Sequence, residues 1–170
     1  RYLINSRWSG YLTKLSSYRT DPDSNMTATQ KPCGKSRVEH ADLMVGRRVL
    51  EAEGRALLKL EEALGESFTA AVERISGISG RVVFTGMGKS GHIGRKLAAT
   101  MASTGTPSFF VHPAEASHGD LGMITRQDAV LALSNSGETA ELSAIIQYTR
   151  RFNIPLIAVV GQEDSSLGDN

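Results

Sequence analysis

The sequence predicts an α/β domain, a doubly wound parallel sheet preceded by a long helix, on three observations. Short apolar runs at 81–85, 107–112, 129–134 and 155–160 alternate with helical patterns. These runs are apolar nearly throughout instead of alternating, as in strands of a parallel sheet covered by helices on both faces. Two of them lead into loops rich in glycine or hydroxyl side chains, and open parallel sheets bind their ligands at such strand ends.

Residues 1–36 read differently from the rest. They hold Trp8, Tyr2, Tyr11 and Tyr18, sustain no helical or strand period, and pass into the polar tract Thr20–Lys35, which reads as flexible linker. The chain opens on Arg1, and Met26 is a plausible start. Residues 1–36 are therefore expected to be a disordered or non-native extension, and residues 37–170 the domain. Ser36 and Glu39 have capping-box spacing, and Leu43, Leu50, Leu57 and Leu64 recur every seven residues beside Val49, Ala56 and Ala63. This predicts an amphipathic helix over Arg37–Leu64, weakened at Gly46 and Gly54. Its single apolar column suits packing against its own domain or a partner subunit, so a homo-oligomer is expected.

A shorter helix is expected over 66–75. The strand Arg81–Thr85 leads to a helix over Gly91–Ser103, with Ile93, Leu97, Ala98 and Met101 on one side. Strands Pro107–His112 and Ala129–Ser134 follow. A helix over Glu138–Arg151 turns Leu142, Ile145, Ile146 and Thr149 inward, and Pro155–Val160 is the next strand. Ser165 and Ser166 look like the start of another helix, so the sheet is expected to be incomplete at the C-terminus.

The composition bounds the function. With a net charge of +1, no basic stripe and no helix-turn-helix in residues 1–80, nucleic acid is not the expected partner. No apolar run approaches the roughly 20 residues of a membrane-spanning helix. The single cysteine, Cys33, allows no internal disulfide and fits a cytoplasmic protein.

The chemistry sits in two loops. Gly86-Met87-Gly88-Lys89-Ser90-Gly91 joins a strand to a helix. Its glycines let backbone approach an anion, and the helix start offers free N–H groups and a positive dipole. A dinucleotide site would want an acidic residue at the end of the next strand, and Glu115 comes too late. A nucleotide P-loop would want glycine where Val83 stands. The second loop, Ser134-Asn135-Ser136-Gly137-Glu138-Thr139, places three hydroxyls at a strand end. A helix cap explains one of them; a phosphate wrapped by hydroxyls and amides explains all three. Together the loops imply a small phosphorylated ligand.

These loops, with the stretches Gly86–Lys96, Ser103–Pro113 and His118–Gly122, resemble the arabinose-5-phosphate isomerases of the sugar isomerase (SIS) domain family over roughly Val38–Gly161. The resemblance implies a flavodoxin-like sheet of SIS type and interconversion of ribulose 5-phosphate and arabinose 5-phosphate, feeding the Kdo sugar of lipopolysaccharide. It implies no organic cofactor and no catalytic metal. Gly88, Ser90, Ser134, Asn135, Ser136 and Thr139 would hold the sugar phosphate, and Lys89, Glu141 and His118 match catalytic positions. The family's remaining catalytic Glu and His lie past Asn170, as do any CBS domains. The resemblance therefore implies an N-terminally extended, C-terminally truncated homologue with an incomplete catalytic set, expected to be inactive as it stands. The alternative is a non-catalytic module that binds carbohydrate phosphates.

Overall fold

The computed structural model describes residues 2–5 and 35–169. The expected linker, with Trp8, Met26 and Cys33, lies outside them. The described residues fall into two units, 35–63 and 2–5 with 64–169.

The first unit contains the helix α1, Lys35–Ala63. It starts before Ser36, so Ser36 lies inside the first turn and not at the cap. Leu43, Leu50 and Leu57 are well exposed along it, and nothing lies within 4 Å of where a Cβ on Gly46 or Gly54 would sit.

The second unit is the sheet domain. Its elements in chain order are β1 (Tyr2–Asn5), α2 (Glu66–Ser76), β2 (Val82–Gly86), α3 (Gly88–Ser103), β3 (Ser108–Phe110), α4 (Pro113–Ala116), β4 (Ala129–Ser134), α5 (Ser143–Phe152) and β5 (Leu156–Val160), with 3-10 turns at Asp120–Met123 and Ala140–Leu142. The strand order is β1-β5-β4-β2-β3, and every pairing is parallel. The doubly wound architecture is as expected. Val82, Phe84, Leu131 and Ile157 pack with Ala71 of α2 and Ala98 of α3 on one face. Val83, Val130, Ala132 and Ala158 pack with Ala116, Leu142, Ile145 and Ile146 on the other.

Two features depart from the sequence expectations. Residues 2–5, expected to belong to a disordered or non-native extension, form a strand that pairs Tyr2 with Ile157 through Asn5 with Val160 and so covers the edge of β5. Four residues are too few to show a period of two, but Tyr, Leu and Ile suit a pleated surface. As expected, Ser165 and Ser166 open a helical turn after β5: Gly168 N donates to Ser165 Oγ at 3.2 Å, as to a helix cap, and Asp169 N donates to Ser165 O at 2.8 Å. The other departure is that Ile93 and Leu97 of α3 are exposed, at 51% and 36%. The face of α3 against the sheet is instead Gly91, Gly94 and Ala98. Small residues let the helix lie close: a Cβ on Gly94 would sit 3.0 Å from the Phe110 ring.

At the amino ends of the strands, the buried Asp128 ties β2 to β4. It accepts from the amides of Arg81 (2.7 Å) and Thr125 (2.8 Å), and from the Thr125 hydroxyl (3.0 Å). Burial pushes its carboxyl up, but these donors outweigh burial and hold it below the usual carboxylate range.

Candidate functional site

The chain leaves β2 and β4, adjacent strands, towards opposite faces: β2 leads into α3 and β4 into α5. This is the switch point of the sheet, where diverging loops leave a crevice beyond the strand ends. Both chemistry-bearing loops lie there. Gly86 pairs with Leu133, and a Cβ on Gly86 would sit 2.9 Å from the Leu133 carbonyl oxygen. Only glycine permits that approach.

The first loop is shorter than the sequence suggests, because α3 begins at Gly88 and not at Gly91. Lys89 and Ser90 therefore stand in its first turn. The helix is 16 residues long, and its N-cap, Met87, makes no side-chain cap bond. The first helical amide to find a backbone partner is that of Gly91, donating to Met87 O at 3.2 Å. The amides before it converge at the positive end of the dipole, which favours an anion. Gly88 takes φ +51°, Lys89 is exposed and Ser90 is half-buried.

The second loop is internally braced. The buried Ser134 hydroxyl accepts from Gly137 N at 3.0 Å and shares a 2.8 Å hydrogen bond with Thr139 Oγ1. Ser136 Oγ accepts from Glu138 N at 3.2 Å. Gly137 turns the chain with φ +71°. Asn135 and Ser136 are exposed and Thr139 is half-buried. The predicted hydroxyls are thus brought together, with Ser134 inside the loop and Ser136 at its surface.

Glu141 is exposed on the 3-10 turn Ala140–Leu142, whose Leu142 is buried in the core. This turn, and not a regular helix from Glu138, opens α5. His118 is exposed after α4, just before Gly119 at φ +133°. The two are linked through α4, which packs on the Ala140–Leu142 turn. His112, with Pro113 following it, caps α4 by accepting from Ala114 N at 3.3 Å.

Two features gave no sequence signal. Thr85 Oγ1 is buried on β2, two residues before Met87, with no hydrogen-bond partner among the described residues. Glu138 reaches across 28 residues to Ser166, accepting from its amide and its hydroxyl, each at 2.6 Å. The Ser166 hydroxyl and amide hold the Glu138 carboxyl below the usual carboxylate range.

The SIS domain model matches residues 78–170, from the turn before β2 through both loops. The chain belongs to the SIS domain family. Among curated relatives, arabinose 5-phosphate isomerase KdsD of Escherichia coli K12 is 55% identical over 122 residues, 72% of this chain. KdsD of Pseudomonas aeruginosa is 54% identical over 121 residues, 71% of this chain. The chain spans 37% of the length of these relatives. Among solved structures, that of c3406 from Escherichia coli CFT073 in complex with arabinose 5-phosphate has a TM-score of 0.71 at 43% identity, over 76% of this chain and 69% of that one. The resemblance of the loops to arabinose-5-phosphate isomerases thus extends through the SIS domain. No helix among the described residues is long and apolar enough to cross a membrane.

Proposed function

We propose that this SIS domain is a phosphosugar isomerase interconverting D-ribulose 5-phosphate and D-arabinose 5-phosphate, serving Kdo and lipopolysaccharide synthesis in the cytoplasm. The observation that carries this reading is the pair of anion-ready loops at one switch point, with a lysine in one and a glutamate just past the other. The KdsD relatives and the solved structure in complex with arabinose 5-phosphate support the choice of sugar.

The phosphate is held between the first turn of α3, with the Gly88 backbone and the Ser90 hydroxyl, and the second loop. There Asn135, Ser136 and Thr139 face it, and Ser134 acts from inside, fixing the loop that presents them. The reaction proceeds through a cis-enediol. A base takes a proton from C1 of the ketose and returns it to C2, while the O1 hydroxyl proton passes to O2. Glu141 or His118 moves these protons, and the Lys89 ammonium stabilises the charge that develops on oxygen. The helix α1 carries the contact to a second copy, through the column Leu43, Leu50 and Leu57.

The test is turnover of ribulose 5-phosphate by the chain and by its Lys89→Ala and Glu141→Gln variants. Arabinose 5-phosphate formation that falls about 10²-fold or more in each variant supports the assignment, since a missing acid, base or charge stabiliser costs on that order. Turnover unchanged in both variants removes the catalytic roles. Binding of arabinose 5-phosphate without turnover by the unmodified chain is what an incomplete catalytic set gives; a chain extended to a complete SIS domain that still binds without turnover favours a non-catalytic module.

A further inference from the structure

We propose that Glu138 is a positioning residue, latching the phosphate loop onto the segment after β5 and so setting how tightly the loop holds a sugar phosphate. The inference rests on the phosphate role proposed above for that loop.

The segment 161–169 is a fixed base. Leu167 is 1% exposed, within the core, and Ser165 is 3% exposed. Ser165 Oγ donates to Gln162 O at 2.9 Å and accepts from Gly168 N at 3.2 Å. Against this base lie three ties from the phosphate loop. Gly161 N donates to Asn135 O at 3.1 Å, and Leu167 N donates to Gly137 O at 3.0 Å. The third is the Glu138 carboxylate, with Ser166 N donating to one oxygen and Ser166 Oγ to the other. Gly137 sits so close to Ser165 that a Cβ would collide with the serine side chain.

Two consequences follow from the charge and position of Glu138. A carboxylate inside a phosphate loop repels the dianion it is meant to surround; with both oxygens engaged by Ser166 it is held in one orientation and its charge is partly neutralised by donors. The Glu138 amide also donates to Ser136 Oγ, so movement at Glu138 moves the hydroxyl presented to the phosphate. The latch therefore acts on binding through Ser136, without touching the ligand.

The test is calorimetric titration of the full chain with arabinose 5-phosphate, comparing wild type, Glu138→Ala, Ser166→Ala, the double variant and Glu138→Gln, each with its melting curve. Glu138→Ala, which breaks both bonds, is expected to weaken affinity about five- to tenfold, and Ser166→Ala, which keeps the Ser166 amide bond, by a smaller factor. The double variant should be no weaker than Glu138→Ala by more than about twofold, because the Ser166 hydroxyl acts on the loop only through Glu138. Glu138→Gln, which keeps an acceptor for Ser166, should recover most of the loss. Where turnover is followed, KM for ribulose 5-phosphate should rise with kcat unchanged. Affinity unchanged or tighter in Glu138→Ala, or losses that multiply in the double variant, overturns the latch. Should Glu138→Ala fail to fold, Ser166→Ala and Glu138→Gln decide the matter by the same criteria. A wild-type chain that does not bind arabinose 5-phosphate overturns the proposed function itself; a binding wild type with unaffected variants overturns the latch alone.

Discussion

Gly91, in the first turns of α3, lies so close to Gly86 at the end of β2 that a Cβ on Gly91 would stand 2.6 Å from the Gly86 carbonyl oxygen. The helix start is therefore seated directly on the strand end. Gly91→Ala forces these backbones apart. Overpacking of this kind costs about 1–3 kcal/mol, so the variant should melt several degrees lower and lose affinity for sugar phosphate, as followed by thermal unfolding and titration.

Asp128 governs the opposite end of the sheet. Asp128→Asn removes one acceptor oxygen from donors on Arg81 and Thr125, and each buried donor left unpaired costs about 1–3 kcal/mol. Because the carboxyl is held below its unfolded-state value, its contribution is complete above about pH 4. It is lost as pH falls through the lowered folded-state value. The wild type should lose stability on acidification below that point, and Asp128→Asn should show a shallower acid dependence; parallel denaturant melts from about pH 3 to 7 check this, a range that brackets the ordinary carboxylate values.

Thr85 carries a buried hydroxyl with no partner among the described residues. Replacing it by valine keeps the branched shape and removes the desolvated oxygen. Thr85→Val should therefore leave stability unchanged or raise it by about 1 kcal/mol, measured by chemical denaturation. A clear loss of stability would mean that the hydroxyl is hydrogen-bonded in the folded protein.

The exposed column Leu43, Leu50 and Leu57 on α1 should be covered by a second copy. Sedimentation at micromolar concentration is expected to show an oligomer, and Leu50→Glu to shift it towards monomer. A wild-type monomer would remove the proposed contact.

Much of the sheet domain is legible in the sequence because its signals are local. The run Ala129–Ser134 is β4 residue for residue, and Leu142, Ile145, Ile146 and Thr149 are all buried as their spacing implies. The alternation of strand and helix also places the two loops. The start of α3 is hidden because Gly88, Lys89 and Ser90 carry no helix-forming pattern; the turn they form is imposed by the strand end beneath it. Apolar spacing points Ile93 and Leu97 at the sheet, yet there the sheet demands small side chains, supplied by Gly91 and Gly94. The hydroxyl-rich loop is visible, but its brace is not: Glu138 and Ser166 are brought together by the return of the chain through α5 and β5, which no local spacing encodes. The strand Tyr2–Asn5 escapes a local reading because its partner lies at the far end of the sequence.

The central claim is that the two loops form one phosphate cradle, and its most direct measurement is the affinity of the chain for arabinose 5-phosphate and for unphosphorylated arabinose, in wild type and Ser136→Ala. The wild type should bind the phosphorylated sugar and scarcely bind arabinose. Removing a hydroxyl that donates to an anion forfeits about 1.5–3 kcal/mol, so Ser136→Ala should lose about tenfold or more in affinity for arabinose 5-phosphate, with any weak affinity for arabinose unchanged. Equal affinity for the two sugars, or an equal loss for both in Ser136→Ala, would contradict a phosphate cradle at these loops.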